Sequence, residues 1–82
     1  MRKITYLKTA YKSLEKLDRN NRKRLIDSID FIPRGDIKKL TGKKHPQLYR
    51  LRVGKYRVIY YYDIANNEII VAKIDTRGDI YK

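Results

Sequence analysis

From Leu48 to Thr76 the apolar residues recur at nearly every second position, and this two-residue period constrains the chain more than any other feature. It predicts three strands, at about 48 to 53, 56 to 63 and 69 to 76, with turns at Gly54-Lys55 and Asn66-Asn67. Glycine can take the first central position of the primed turn that matches strand twist, so Gly54-Lys55 reads as a two-residue hairpin turn. Pairing Val53 with Tyr56 then sets Arg52 opposite Arg57, Leu51 opposite Val58, Arg50 opposite Ile59 and Tyr49 opposite Tyr60. Side chains alternate across a sheet. Tyr49, Leu51, Val53, Tyr56, Val58, Tyr60 and Tyr62 therefore make a core face, and Arg50, Arg52 and Arg57 share the opposite one. In the next hairpin an odd-length loop buries Ile70, Ala72 and Ile74 and brings Lys73, Asp75 and Arg77 to the arginine face. An even loop reverses this, and the buried isoleucines favour the odd one.

The first half of the chain has a different rhythm. Ile4 and Tyr6 alternate with polar neighbours as a short first strand. Ala10, Leu14 and Leu17 follow at helical spacing and predict a helix over about 9 to 18, with Thr9 as its cap. Asp18-Arg19-Asn20-Asn21 breaks it. Leu25, Ile26, Ile29 and Ile32 predict a second helix closed by Pro33 and Gly35, with Asp27 and Asp30 on its outer side. Residues 36 to 47 are basic and irregular and read as a connecting loop. The order β-α-α-β-β-β implies an α+β fold, in which the first strand and a helical hairpin pack on one face of a small, mostly antiparallel sheet. With 82 residues, residues 1–82 are expected to form one domain that buries about 60–65% of its unfolded surface.

Charge narrows the partners. Lys and Arg number 21 against nine Asp and Glu, a formal charge of +12, and such an excess calls for a polyanion or an acidic protein. Arg52 directly opposite Arg57 destabilises a sheet by a few tenths to about 1 kcal/mol, so folding alone gives no reason for the pairing. One reading is a solvated polar face partly neutralised by Asp75. The sharper reading is a phosphate-binding platform, because the planar arginine fork holds two phosphate oxygens and stays charged. Tyr61, on the same face, and Tyr81 can stack on unpaired bases, with surface packing the competing role for Tyr61. Lys38, Lys39, Lys43, Lys44, Lys55 and Lys73 extend the basic surface for RNA.

Other chemistries are excluded or disfavoured. Without cysteine there is no disulfide, thiolate metal site or cysteine nucleophile, which suits a reducing cytoplasm. The carboxylates show no paired-acid arrangement or metal-ligand spacing, so no metal or cofactor is expected. The amino terminus runs directly into charge, unlike a signal peptide, and no segment approaches the roughly 18 apolar residues of a membrane span.

The segments Leu40-Thr41-Gly42, Leu48-Tyr49-Arg50-Leu51-Arg52-Val53-Gly54-Lys55-Tyr56-Arg57-Val58-Ile59-Tyr60 and Thr76-Arg77-Gly78-Asp79-Ile80-Tyr81 resemble the RelE toxins of the RelE/ParE superfamily of toxin–antitoxin pairs. The resemblance implies an endoribonuclease that cuts messenger RNA in the ribosomal decoding site, against 16S ribosomal RNA, by metal-independent attack of a 2′-hydroxyl. It also implies a cognate acidic antitoxin that forms a hetero-oligomer with the toxin and holds it inactive. By position, Arg50 and Arg52 match the basic residues of the first meander strand, Arg57 the arginine that stabilises the transition state, and Arg77 and Tyr81 the terminal pair. RelE relatives can offer lysines where this chain has Arg50 and Arg52, and arginine hardly ever deprotonates. Lys44, His45 and Lys55 are the nearest alternatives for a general base, His45 because its ordinary pKa lies near neutrality. Two other readings use the same fold: a ParE-like inhibitor of DNA gyrase, and a non-catalytic relative that only binds RNA or antitoxin.

Overall fold

The computed structural model describes residues 3–40 and 46–76. Its elements are β1 (Lys3–Tyr6), α1 (Lys8–Glu15), α2 (Arg19–Asp30), β2 (Asp36–Lys39), β3 (Tyr49–Val53), β4 (Tyr56–Asp63) and β5 (Glu68–Thr76). The strands form one sheet in the order β1-β5-β4-β3-β2. β1 runs parallel to β5 and every other pairing is antiparallel.

The β3–β4 hairpin has the predicted register throughout, from Val53 opposite Tyr56 to Tyr49 opposite Tyr60. Gly54 sits at φ +60° while Lys55 keeps a negative φ, the signature of a type II′ turn. The region read as a loop from residue 36 is in part a strand. Asp36–Lys39 pairs with β3 and forms one edge of the sheet, so the meander has four strands. Ile37, opposite Leu51, is its single apolar anchor. One apolar residue among charges shows no period, which is why the strand is silent in the sequence.

The β4–β5 hairpin corrects the expected odd loop. Asp63 pairs with Glu68 around four intervening residues, with Asn67 at φ 51°. The even loop sends Ile69 and Val71 to the core and Ile70 to the arginine face. A β-bulge then intervenes: Tyr60 faces Val71 but Ile59 faces Lys73, leaving Ala72 as the extra residue. The bulge shifts the alternation by one position. Ile74 returns to the core opposite Val58, and Lys73 and Asp75 arrive on the arginine face as predicted, by a different route.

The helices cover the other face. Ala10 and Leu14 of α1 and Leu25 and Ile29 of α2 pack into a core with Leu51, Val53, Tyr56, Val58, Tyr60, Ile69, Val71 and Ile74. α1 lies over β5 and β1, and α2 over β3. Thr9 does not cap α1. The N-cap is Leu7, which makes no side-chain cap but extends β1 by donating its N–H to the Val71 carbonyl at 2.9 Å. The predicted break at Asp18-Arg19-Asn20-Asn21 is instead the start of α2. Asp18 is the N-cap and accepts from the Asn21 N–H, and the Asn21 side chain holds the Asp18 carboxyl below its usual range. Arg22 joins the two helices by donating to the carbonyls of Leu14, Glu15 and Leu17 at 2.8 to 3.2 Å, which satisfies the open end of α1.

Candidate nucleic-acid interface

Strand parity places Arg50 and Arg52 of β3, Arg57, Ile59 and Tyr61 of β4, and Ile70, Lys73 and Asp75 of β5 on the sheet face opposite the helices. β2 adds Asp36 and Lys38, opposite Arg52 and Arg50. This face is not uniformly wet. Ile59 and Ile70 are only 8% and 7% exposed, as is Arg50 at 8%, so the arginines border an apolar floor that lowers the local dielectric and strengthens their field.

Carboxylates hold two of the three arginines. Arg57 Nε lies 3.4 Å from Asp75 Oδ1, and Lys73 Nζ reaches Asp75 Oδ2 at 3.6 Å. Arg50 Nη2 lies 3.8 Å from Asp36 Oδ1. Asp75 thus has the expected ion-pair role, whereas Asp36 was hidden by the loop assignment. One donor is left over. Arg50 Nη1 is buried without a hydrogen-bond partner among the described residues, an arrangement that costs stability unless an acceptor arrives, whereas Arg57 Nε and Asp75 Oδ1 face each other as an ion pair outside hydrogen-bond geometry. Arg52 and Lys38 are exposed.

Among the other residues singled out in the sequence, Lys39 faces Tyr49, on the side opposite the arginines. Lys55 sits in the type II′ turn with Nζ 5.5 Å from the Tyr56 ring centroid, over a core-face ring. Lys43, Lys44, His45, Arg77 and Tyr81 lie outside the described residues. No cluster of three or more His, Cys, Asp or Glu able to hold a metal occurs among the described residues, and none of their helices is long and apolar enough to cross a membrane.

Two recesses flank the arginine face. Between the end of α2 and the β3 turn lies a groove of about 490 Å³ lined by Arg24, Phe31, Arg34 and Arg52, and Phe31 is 64% exposed there. At the opposite end of β4 a second recess of about 470 Å³ is lined by Pro46, Gln47, Tyr49, Tyr61, Tyr62 and Asp63. Tyr49 stacks on Tyr60 at 5.5 Å between centroids, and Tyr62 meets both edge-on at 5.3 and 5.8 Å. Burial and the neighbouring Tyr62 push the Tyr60 hydroxyl well above the usual tyrosine range. Tyr49 and Tyr62 read as core in the sequence, and although the expected strands already leave β4 the longer, the recess is not legible there because Pro46 and Gln47 line it only in the folded chain.

Residues 4–81 match the family described as ParE toxin of type II toxin-antitoxin system, parDE. The chain belongs to the RelE/ParE family of type II toxins. Its likeness within that family is to RelE: it is 35% identical over 82 residues to RelE1 of Methanocaldococcus jannaschii, covering 92% of this chain and 89% of that protein. The fold superposes on a chain of the archaeal RelE–RelB complex from Pyrococcus horikoshii with TM-score 0.77 and 30% identity, over 94% of this chain and 96% of that one. A chain of the RelB–RelE complex from Methanococcus jannaschii gives TM-score 0.73 and 28% identity, over 94% of each. The isolated Escherichia coli RelE toxin, at 18% identity, shares the fold with TM-score 0.68 over 99% of this chain and 92% of that one. This is a RelE-type toxin with two helices on a five-stranded mixed sheet.

Proposed function

We propose that this RelE-type toxin is a ribosome-dependent endoribonuclease that cleaves messenger RNA in the decoding site of the cytoplasmic ribosome and is neutralised by an acidic antitoxin. The observation that carries the reading is the set of guanidinium groups on one sheet face, with Arg52 opposite Arg57 and a buried donor of Arg50 left without a partner among the described residues. A phosphodiester supplies both missing elements, since its charge offsets the opposed arginines and its oxygens can accept from the orphaned Arg50 donor.

Arg50 and Arg52 hold phosphates and aim the scissile one toward Arg57. The 2′-oxygen attacks the adjacent phosphorus as a base takes its proton. The P–O5′ bond breaks, leaving a 2′,3′-cyclic phosphate and a 5′-oxygen that takes a proton from solvent to become the hydroxyl. Arg57, oriented by Asp75 at 3.4 Å, stabilises the extra charge of the phosphorane, where fixed donors in a confined site are effective. Arg77 supports the leaving oxygen and Tyr81 positions a base, both carried over from the resemblance. His45 is the candidate for proton removal. No step calls for a metal.

For the antitoxin, a +12 surface favours an acidic chain that folds on binding. The exposed Phe31 beside Arg24, Arg34 and Arg52 offers it an apolar anchor with a cationic rim. The similar archaeal structures are of RelE with RelB.

Two observations favour other readings. The family description names ParE, which favours gyrase inhibition, and the ion pairs of Arg50 and Arg57 favour a binding-only protein. One experiment separates all three. The protein and its Arg57→Ala variant are added to cell-free translation with stalled ribosomes, messenger ends are mapped, and gyrase supercoiling is assayed in parallel. New ends that need both the ribosome and Arg57 support the nuclease, while intact messenger with blocked supercoiling or with neither effect supports the alternatives. In the nuclease case Arg57→Ala lowers cleavage by at least 100-fold and still binds antitoxin.

A further inference from the structure

β4 runs three residues past the start of β3. Tyr60 faces Tyr49, but Tyr61, Tyr62 and Asp63 have strand partners only on β5. The side of β4 that β3 would have occupied is left as the 470 Å³ recess, with Pro46 and Gln47 on its far wall. Its volume falls in the range of small-molecule sites. Its walls are unusual for a surface notch, drawing three tyrosines and a proline from both faces of the sheet edge. Tyr61, which among the described residues makes none of the ring contacts of the other two, is the ring available for a planar base to stack on. Tyr49 and Tyr62 are braced by their contacts with Tyr60, so little conformational freedom remains to be lost on binding.

The recess is continuous with the arginine face, because Tyr61 shares that face with Arg57 and Ile59. Tyr61 stands four residues along β4 from Arg57, about 14 Å at strand spacing. A base held there belongs to a nucleotide displaced along the strand from the phosphate at Arg57.

Beside the tyrosine hydroxyls, which both donate and accept, the recess presents the side-chain acceptors of Gln47 and Asp63. Gln47 uses its amide nitrogen on the carbonyls of Leu40 and Leu48, at 2.6 and 3.0 Å, which leaves its amide oxygen to accept. The Asp63 oxygens receive the Asn66 N–H at 3.3 Å and its side-chain amide at 2.8 Å. A carboxylate has about four lone-pair sites, so each oxygen retains one. Two such oxygens match two adjacent N–H donors, which guanine presents at N1 and N2. Adenine and cytosine offer a single amino group on that edge, and uracil a single imino group.

We propose that the recess between Pro46-Gln47 and Tyr61–Asp63 is a subsite for one unpaired guanine of single-stranded RNA, stacked on Tyr61 and read by Asp63. This rests on the RNA-binding reading of the arginine face and adds a sequence preference to it.

The test uses short 2′-O-methyl RNA oligomers, which cannot undergo 2′-hydroxyl attack, carrying either one guanine or adenine in its place, with binding read by fluorescence anisotropy. The proteins are the wild type, Tyr61→Ala, Tyr61→Phe, Asp63→Asn and Arg52→Ala. Asp63→Asn keeps the turn, since the asparagine oxygen still accepts from the Asn66 N–H and a flipped Asn66 amide accepts from the new NH2, and Tyr61→Phe keeps the ring. The expected result is at least a fivefold preference of the wild type for the guanine oligomer, reduced to within twofold by Asp63→Asn. Tyr61→Ala weakens the guanine oligomer by about tenfold, and Tyr61→Phe restores it. Equal affinity for both oligomers in the wild type and in the pocket variants, with binding still lost in Arg52→Ala, overturns the subsite and leaves the RNA reading standing. No measurable RNA binding by the wild type overturns both.

Discussion

Individual side chains carry opposing demands in this molecule. Tyr6 lies on the core face, its hydroxyl buried without a hydrogen-bond partner among the described residues. Burial first, and the negative charge of Asp30 second, push its pKa up to about 12. A group raised in this way favours the folded state fully below its unfolded pKa of about 10, and that contribution is lost as pH rises toward 12. With the ring partly open to solvent the contribution is on the order of 1–2 kcal/mol. Tyr6→Phe removes both the orphaned hydroxyl and the titration. Chemical denaturation at pH 8 should find this variant at least as stable as the wild type. Between pH 10 and 12 it should lose less stability than the wild type, and the difference between the two proteins isolates the contribution of Tyr6. Arg22 shows the complementary case, a cation with a structural task at the end of α1, so the basic count of the chain overstates the charge free for a polyanion.

Among the elements, the β3–β4 hairpin sets the geometry of the arginine face. Its turn depends on Gly54 at φ +60°, and a Cβ there also comes within 3.0 Å of Arg24 Nη1. The flexible Arg24 head can move aside, whereas the backbone strain cannot be relieved. Gly54→Ala is therefore expected to cost roughly 1–2 kcal/mol in urea denaturation. A larger loss would mean that the turn and the Arg52–Arg57 pairing fail together. The bulge at Ala72 has the corresponding role on β5. It allows one strand to give Ile69 and Val71 to the core at one end and Ile74 at the other, while Lys73 and Asp75 still meet Arg57.

Taken whole, the protein separates its two surfaces by sheet face, with helices and apolar core on one side and most of the arginine chemistry on the other. Its +12 charge attracts any polyanion, so under the proposed function specificity would have to come from the few donors that burial holds in place and from the tyrosine recess beside them. Contacts to three or four phosphates predict a slope of about −2 to −3 for the logarithm of RNA affinity against the logarithm of salt concentration, at roughly −0.7 per phosphate for single strands. Arg52→Ala should make that slope shallower by about 0.7, read from anisotropy titrations between low and physiological salt. An unchanged slope would place Arg52 outside the phosphate path and assign it to the groove around Phe31.

The sequence by itself determined the β3–β4 hairpin, its register and the grouping of Arg50, Arg52 and Arg57. A two-residue turn leaves one register, and a two-residue period leaves one face for each side chain. It also carried the helical hairpin and the toxin family, through apolar spacing and the run from Leu48 to Tyr60. Tertiary structure alone decided the rest. β2 exists because β3 offers an edge to Asp36–Lys39, which have one apolar residue of their own. The phase of β5 had to satisfy β1, the helices and β4 together, and an even loop with a bulge does so where a simple alternation fails. The tyrosine recess arises where β4 outruns β3, and only the fold decides that Pro46 and Gln47, distant in sequence from Tyr61–Asp63, stand across that gap.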